Sequence, residues 1–196
     1  MPSNYFHLNL PFKYPLNEEG MEWFFNLKPC FLQVPKEYFN PEAVEFFKSK
    51  RLLYWDAEVF SFPENYKMEI HVDAVEFSNK CKLNWAYSEG EHYNVWYKPK
   101  SNWSPKSTDG EQDDGRYDEY SYSFDDNEVD EVERTTVRTP TCIVSGQPHS
   151  VITFNEPRKA ISVTLYPLGT NPPSLPKDWG IPLENMREVL NVYIVD

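Results

Sequence analysis

Residues 80–87 read KCKLNWAY, with Cys81, Leu83, Trp85 and Tyr87 alternating against Lys80, Lys82, Asn84 and Ala86. A period of two marks a β-strand whose faces meet different surroundings. The same alternation runs through 158–166, where Ile161, Val163 and Leu165 oppose Arg158, Ala160, Ser162 and Thr164. Apolar or alternating runs at 51–62, 67–76, 93–98, 134–144 and 149–154 predict further strands, the first ending before Pro63. Ser88-Glu89-Gly90-Glu91 reads as a turn joining 80–87 to 93–98 in a hairpin. Helical signals are few. Asn40 as N-cap, Pro41 at the first helical position, Glu42 early and Lys48 late predict a helix over 41–50, with Val44 and Phe47 facing the core. A second helix is expected near 182–190, with Met186, Val189 and Leu190 as its apolar contacts. Pro11, Pro15, Pro29 and Pro35 predict an irregular first forty residues. Together these signals predict an all-β core, barrel or sandwich, with flanking helices, in a single domain spanning 1–196.

Composition supports that reading. Aromatic residues make up 16% of the 196 residues and there are 17 prolines, which suits a strand- and loop-rich chain. The net charge of −12 argues against nucleic acid or an anionic membrane as partner. Most of that charge lies in 109–133, which holds twelve acids and one base, Arg116. Such a block predicts a solvated loop insertion at about 99–133, a lid over a neighbouring site or an acidic docking surface. No apolar run reaches the length of a membrane span, and no secretory leader is visible at the N-terminus. Cys30, Cys81 and Cys142 form no CxxC pair, which predicts small buried hydrophobes in a reducing, cytoplasmic setting.

The candidate chemistry begins at 68–77, MEIHVDAVEF. His71 and Asp73 are two apart on a predicted strand, so both point to one face. His149 follows a Gly-Gln-Pro turn and opens another strand. Two imidazoles and one carboxylate can occupy one face of an octahedral ion and leave three positions open. Nine residues further on, Arg158 shares a strand face with Ala160, Ser162 and Thr164, a slot suited to a carboxylate. Asn84, on one face with Lys82, is a further candidate for that slot. His7 and His92 are expected to be exposed and silent, and Trp96 or Tyr97 could line a pocket.

HVD at 71–73, PHSV at 148–151 and RKAIS at 158–162 together resemble the Fe(II)/2-oxoglutarate-dependent oxygenase superfamily. The chain looks most like the short oxygenases of phage and marine microbial genomes, and the resemblance covers about 50–170. It implies a double-stranded β-helix, a cupin-like jelly-roll barrel. It implies that His71, Asp73 and His149 bind Fe(II), and that Arg158 grips the distal carboxylate of 2-oxoglutarate, with Ser162 assisting. The implied activity is a dioxygenase that hydroxylates a small-molecule or peptide substrate and releases succinate and CO2. The spacing departs from the family pattern, because the basic residue follows the distal His by nine positions and Ala160 stands where a serine is usual. The nucleic-acid demethylase signature of the superfamily is absent. Two alternatives stand beside this reading: a cupin-like metalloprotein without 2-oxoglutarate chemistry, and a non-enzymatic module acting through its acidic segment.

Overall fold

The computed structural model describes residues 3–73, 77–101, 106–107, 122–170 and 180–195. In chain order the elements are β1 (Tyr5–Leu8), α1 (Glu18–Asn26), β2 (Cys30–Gln33), α2 (Pro41–Ser49), β3 (Leu52–Phe62), β4 (Ile70–Val72), β5 (Lys80–Tyr87), β6 (His92–Pro99) and β7 (Lys106–Ser107). They continue with β8 (Tyr122–Phe124), β9 (Val129–Thr135), β10 (Thr141–Val144), β11 (His149–Thr153), β12 (Arg158–Pro167), β13 (Ile181–Pro182), α3 (Leu183–Val189) and β14 (Ile194–Val195). The strands form two antiparallel sheets. The larger is ordered β14-β1-β10-β5-β12-β3-β2, with β13 also on β5, and the smaller β7-β8-β4-β11-β6-β9. The chain passes back and forth between them, so that β3 pairs with β12, β4 with β11, β5 with β10 and β6 with β9.

The main apolar core lies between the larger sheet and the helices. Leu83 and Trp85 of β5 and Ile161, Val163 and Leu165 of β12 meet Phe24 of α1, Phe47 of α2 and Met186 of α3 there. Full burial of a Phe or Leu side chain contributes about 1.5–3 kcal/mol each. The predicted helix at 41–50 forms as α2, with the Asn40 side chain accepting from the Glu42 N–H at 2.9 Å. Ala43 and Phe47 are its buried residues, while Val44 is only partly covered. A smaller cluster of Ile70, Val72, Val95, Tyr97, Phe124 and Val129 covers the outer face of the smaller sheet. The inner faces of the two sheets enclose a second interior, and that one is polar.

Several expectations are corrected. The run 80–87 and the run 93–98 are not a hairpin. Both edges of β5 are occupied, by β10 and β12, so β6 crosses to the smaller sheet and pairs with β11 and β9. The first forty residues are not irregular: the prolines delimit β1, α1 and β2 rather than preventing them. Asn17 caps α1, accepting from the Gly20 N–H at 2.8 Å. At its other end the Lys159 ammonium donates to the carbonyls of Phe25 and Leu27 at 2.5 and 2.7 Å. The expected strand at 134–144 is two strands, β9 and β10, in different sheets. The acidic stretch is partly sheet, since β8 and β9 occupy 122–124 and 129–135, and 108–121 lies outside the described residues. Met186 and Leu190 are buried by α3, but Val189 is exposed. Of the cysteines, Cys81 and Cys142 are buried and Cys30 is partly exposed.

Candidate metal centre

β4 and β11 are antiparallel neighbours, and their register sets His71 directly opposite His149. On the far side of β11, Trp96 of β6 stands opposite His149. The Trp96 ring is fully buried, and its indole N–H donates to the Val144 carbonyl at 2.8 Å, tying the smaller sheet to the larger. Asp73 lies in a bend just past β4. Its N–H donates to the Ser145 carbonyl at 3.0 Å, which brings the carboxylate to the start of β11. The turn leading into His149 packs closely on Ser78. A Cβ on Gly146 would lie 2.2 Å from Ser78 Oγ and 2.7 Å from the Ser78 carbonyl oxygen, so glycine is required for that approach.

Asp73 Oδ1 is 3.1 Å from His71 Nε2 and 3.8 Å from His149 Nε2. One donor atom from each of the three residues lies within 4.8 Å of the others, a cluster that can hold a metal ion. His71 Nδ1 faces the Glu69 carbonyl at 2.8 Å and His149 Nδ1 faces the Gln147 carbonyl at 2.9 Å. A carbonyl oxygen only accepts, so each ring donates from Nδ1 and turns Nε2 toward Asp73. Metal-bound histidines are commonly oriented by such an outer partner.

The electrostatics suit a cation. Burial works against ionised Asp73, but Lys82, His149 and His71 outweigh it and hold the carboxyl well below the ordinary range. Burial, and then the neighbouring His71, push His149 down to about 4, so it is neutral at pH 7. Burial also works against a charged His71, yet the hydrogen bond and negative charge of Asp73 raise its pKa. A divalent ion would compete for the same place as that proton.

Two residues of this centre carried no functional reading in the sequence. Lys82 Nζ lies 3.1 Å from Asp73 Oδ2 and 3.0 Å from Glu58 Oε2, and both Lys82 and Glu58 are buried. Burial disfavours the ammonium, but Asp73 and Glu58 raise its pKa, so it stays charged. The available signal was the alternation itself, which put Lys82 on an inward strand face and Glu58 among the apolar residues of 51–62.

Arg158 is 1% exposed at the start of β12. Burial lowers its pKa to about 10, so it remains a cation at pH 7. Its Nη2 donates to Asn94 Oδ1 at 2.9 Å, and its Nε has no hydrogen-bond partner among the described residues. Asn94, which the sequence reading passed over, is two residues from Trp96 on the inner face of β6. The guanidinium is thus anchored one inward step from the His149 row, roughly 7 Å along the strand.

Asn84 and Ser162 also face the polar interior and are buried, paired across β5 and β12. Asn84 Oδ1 has no partner among the described residues. Ser162 lies four residues from Arg158, roughly 13 Å of strand, at the level of Glu58 rather than at the root of the arginine. Tyr97 points outward into the smaller cluster. His92 is not exposed as expected: it is 1% exposed, with ring nitrogens facing the Gly90 and Val137 carbonyls at 3.2 and 3.1 Å. His7 bonds Thr141 Oγ1 through Nδ1 at 2.8 Å. A small cleft of about 10 Å³, lined by Lys82, Ser145, Gly146 and Thr164, touches the cluster at Asp73. A groove of about 520 Å³ bounded by Leu10, Phe12, Trp85, Tyr87 and Arg138 shares no residue with it.

No protein-family model matches this chain, and no curated protein matches it. Among the described residues, no helix is long and apolar enough to cross a membrane.

Proposed function

We propose that this chain is an Fe(II)- and 2-oxoglutarate-dependent oxygenase built on a double-stranded β-helix, hydroxylating a small-molecule or peptide substrate. The observation that carries the reading is one shared interior. Two imidazole Nε2 atoms and one carboxylate oxygen converge there, and a buried guanidinium, whose Nε–H has no partner among the described residues, reaches across from the larger sheet to Asn94, a short distance along from the His149 row. Support for the fold comes from the nested pairing of β3 with β12, β4 with β11, β5 with β10 and β6 with β9, since a jelly roll is an eight-stranded antiparallel ribbon rolled into two sheets.

The donor set fits the metal. Imidazole suits Fe(II), and two histidines with one carboxylate on a single face leave positions for cosubstrate and O2. The charges also fit. With neutral histidines, Asp73, Glu58 and Lys82 carry one net negative charge, so a divalent ion leaves a single positive charge. A dicarboxylate together with the Arg158 cation then brings the interior to neutrality, which burial favours. His71, Asp73 and His149 would hold the iron. Arg158 would bind the distal carboxylate through charge-assisted hydrogen bonds that employ its Nε–H. Asn94 orients that guanidinium, and Asn84 and Ser162 offer polar contacts deeper in the barrel. When bound, iron and 2-oxoglutarate supply the oxidising chemistry, in which 2-oxoglutarate, O2 and a substrate C–H give succinate, CO2 and an alcohol. The chain contributes binding, orientation and an interior shielded from water.

The test is an anaerobic thermal-shift titration with Mn(II), then with Mn(II) and 2-oxoglutarate together. A ligand that binds only the folded state raises its melting temperature. The expected result is a rise with metal and a further, metal-dependent rise with 2-oxoglutarate. A rise with metal alone assigns a cupin-like metalloprotein instead, and no rise with either removes the oxygenase reading.

A further inference from the structure

We infer that Lys82 is a positioning residue that makes Asp73 a one-oxygen ligand, with Glu58 as the counter-charge that allows a lysine beside a cation site. The inference rests on the metal-binding reading of His71, Asp73 and His149 and concerns the coordination number of that site.

The two oxygens of Asp73 face different partners. Oδ1 is the atom near both histidine Nε2 nitrogens, at 3.1 and 3.8 Å. Oδ2 is turned away, 3.1 Å from Lys82 Nζ. An aspartate with both oxygens free can bind a metal through both, which takes one more position on the ion. Here the second oxygen is committed to an ammonium group before any metal arrives. Three ligand atoms then occupy one face of an octahedral ion, and three positions stay available.

The placement of Lys82 follows from the sheet. β12 separates β5 from β3, and Lys82 on β5 reaches over the inner face to Glu58 on β3, 3.0 Å away. A buried lysine next to a divalent ion is unfavourable by itself, since like charges repel strongly away from water. Glu58 offsets that repulsion and fixes the direction of the lysine. The row Glu58–Lys82–Asp73 thus runs from the larger sheet to the ligand atom, and it ties the metal face to the rigid strands β3 and β5 rather than to the bend that carries Asp73.

The experiment counts exchangeable waters on bound Mn(II) by the line broadening that ¹⁷O-labelled water produces in its EPR spectrum. Wild type is expected to show about three. The paired substitution Lys82→Met with Glu58→Met removes both buried charges together, which avoids leaving either one unpaired. It is expected to show a loss of one water, as the freed Oδ2 joins the ion. Lys82→Arg keeps a donor on Oδ2 and is expected to restore the wild-type count. A wild-type count in the paired variant overturns the inference. Independently of any variant, a crystal structure of the Mn(II)-loaded wild type is expected to keep Lys82 Nζ within hydrogen-bond reach of Asp73 Oδ2; an Asp73 bound through both oxygens overturns the inference. Absence of any bound Mn(II) in wild type overturns the metal reading itself, and this inference with it.

Discussion

The larger sheet has two buried faces of opposite character, made by alternate residues of the same strands. On β12, Ile161, Val163 and Leu165 enter the apolar core beneath the helices, while Arg158, Ser162 and Thr164 enter the space between the sheets. Burial is nearly equal: Ile161 is 0% and Arg158 1% exposed. The physical consequences are not. The apolar face gains from leaving water, whereas the polar face loses hydration that only good partners restore. The Arg158 Nε and Asn84 Oδ1 atoms have no such partner among the described residues. One face therefore holds the fold together, and the other buries its polar groups at some cost in stability.

The comparison can be broken by substitutions on each face. The largest effect is expected at the metal cluster. His71→Ala and His149→Ala should each abolish the Mn(II)-dependent rise in melting temperature, with affinity falling by more than the roughly 10–100-fold that loss of an outer-shell partner causes. Isothermal titration checks this, and wild-type affinity in either variant removes that residue from the ligand set. On the apolar face, Ile161→Ala should destabilise the chain by about 2–5 kcal/mol in urea unfolding, because the lost contacts leave a cavity. Metal affinity in the folded population should not change.

Arg158→Met probes the polar face in the opposite sense. Made together with Asn94→Leu, so that no buried acceptor is orphaned, this replacement of a buried charge by an apolar chain of similar length should leave stability within about 1 kcal/mol of wild type or raise it. The 2-oxoglutarate-dependent shift should disappear while the Mn(II) shift persists. A marked loss of stability would mean that the guanidinium is structural and that the polar face, like the apolar one, holds the fold together.

The smallest effect is a pH dependence at His92. Burial and then the positive charge of Arg158 lower its pKa from the ordinary 6.5. The unfolded chain thus takes up a proton near pH 6.5 that the folded chain refuses until lower pH. The contribution of His92 is fully present above the unfolded pKa and is lost as pH falls through the folded one. Unfolding midpoints of the metal-free protein at pH 7.5 and 5.5 should differ less in His92→Gln than in wild type.

The strands that carry the site were legible because their alternation is local. His71, the strand opening at His149 and the two faces of 158–166 follow from a period of two, and α2 from its own caps, whereas Asp73 lies in a bend past β4, so its approach to His71 is not set by strand alternation. The hairpin between 80–87 and 93–98 was misread because a turn does not say which strand edges are free. That was decided by β10 and β12, both remote in sequence, on either side of β5. The exposure expected of His92 failed for a similar reason, since the Val137 carbonyl that covers it lies 45 residues away.

The sequence by itself determined which residues could be ligands, because a side chain's chemistry and its strand face are properties of a few neighbouring positions. Only the tertiary structure decided that His71 stands opposite His149, that Lys82 and Glu58 secure the far oxygen of Asp73, and that Arg158 reaches Asn94 from the other sheet. Each of these joins side chains from different elements that no local pattern pairs. Strand register and sheet order are fixed by the packing of the two whole sheets rather than by any local preference.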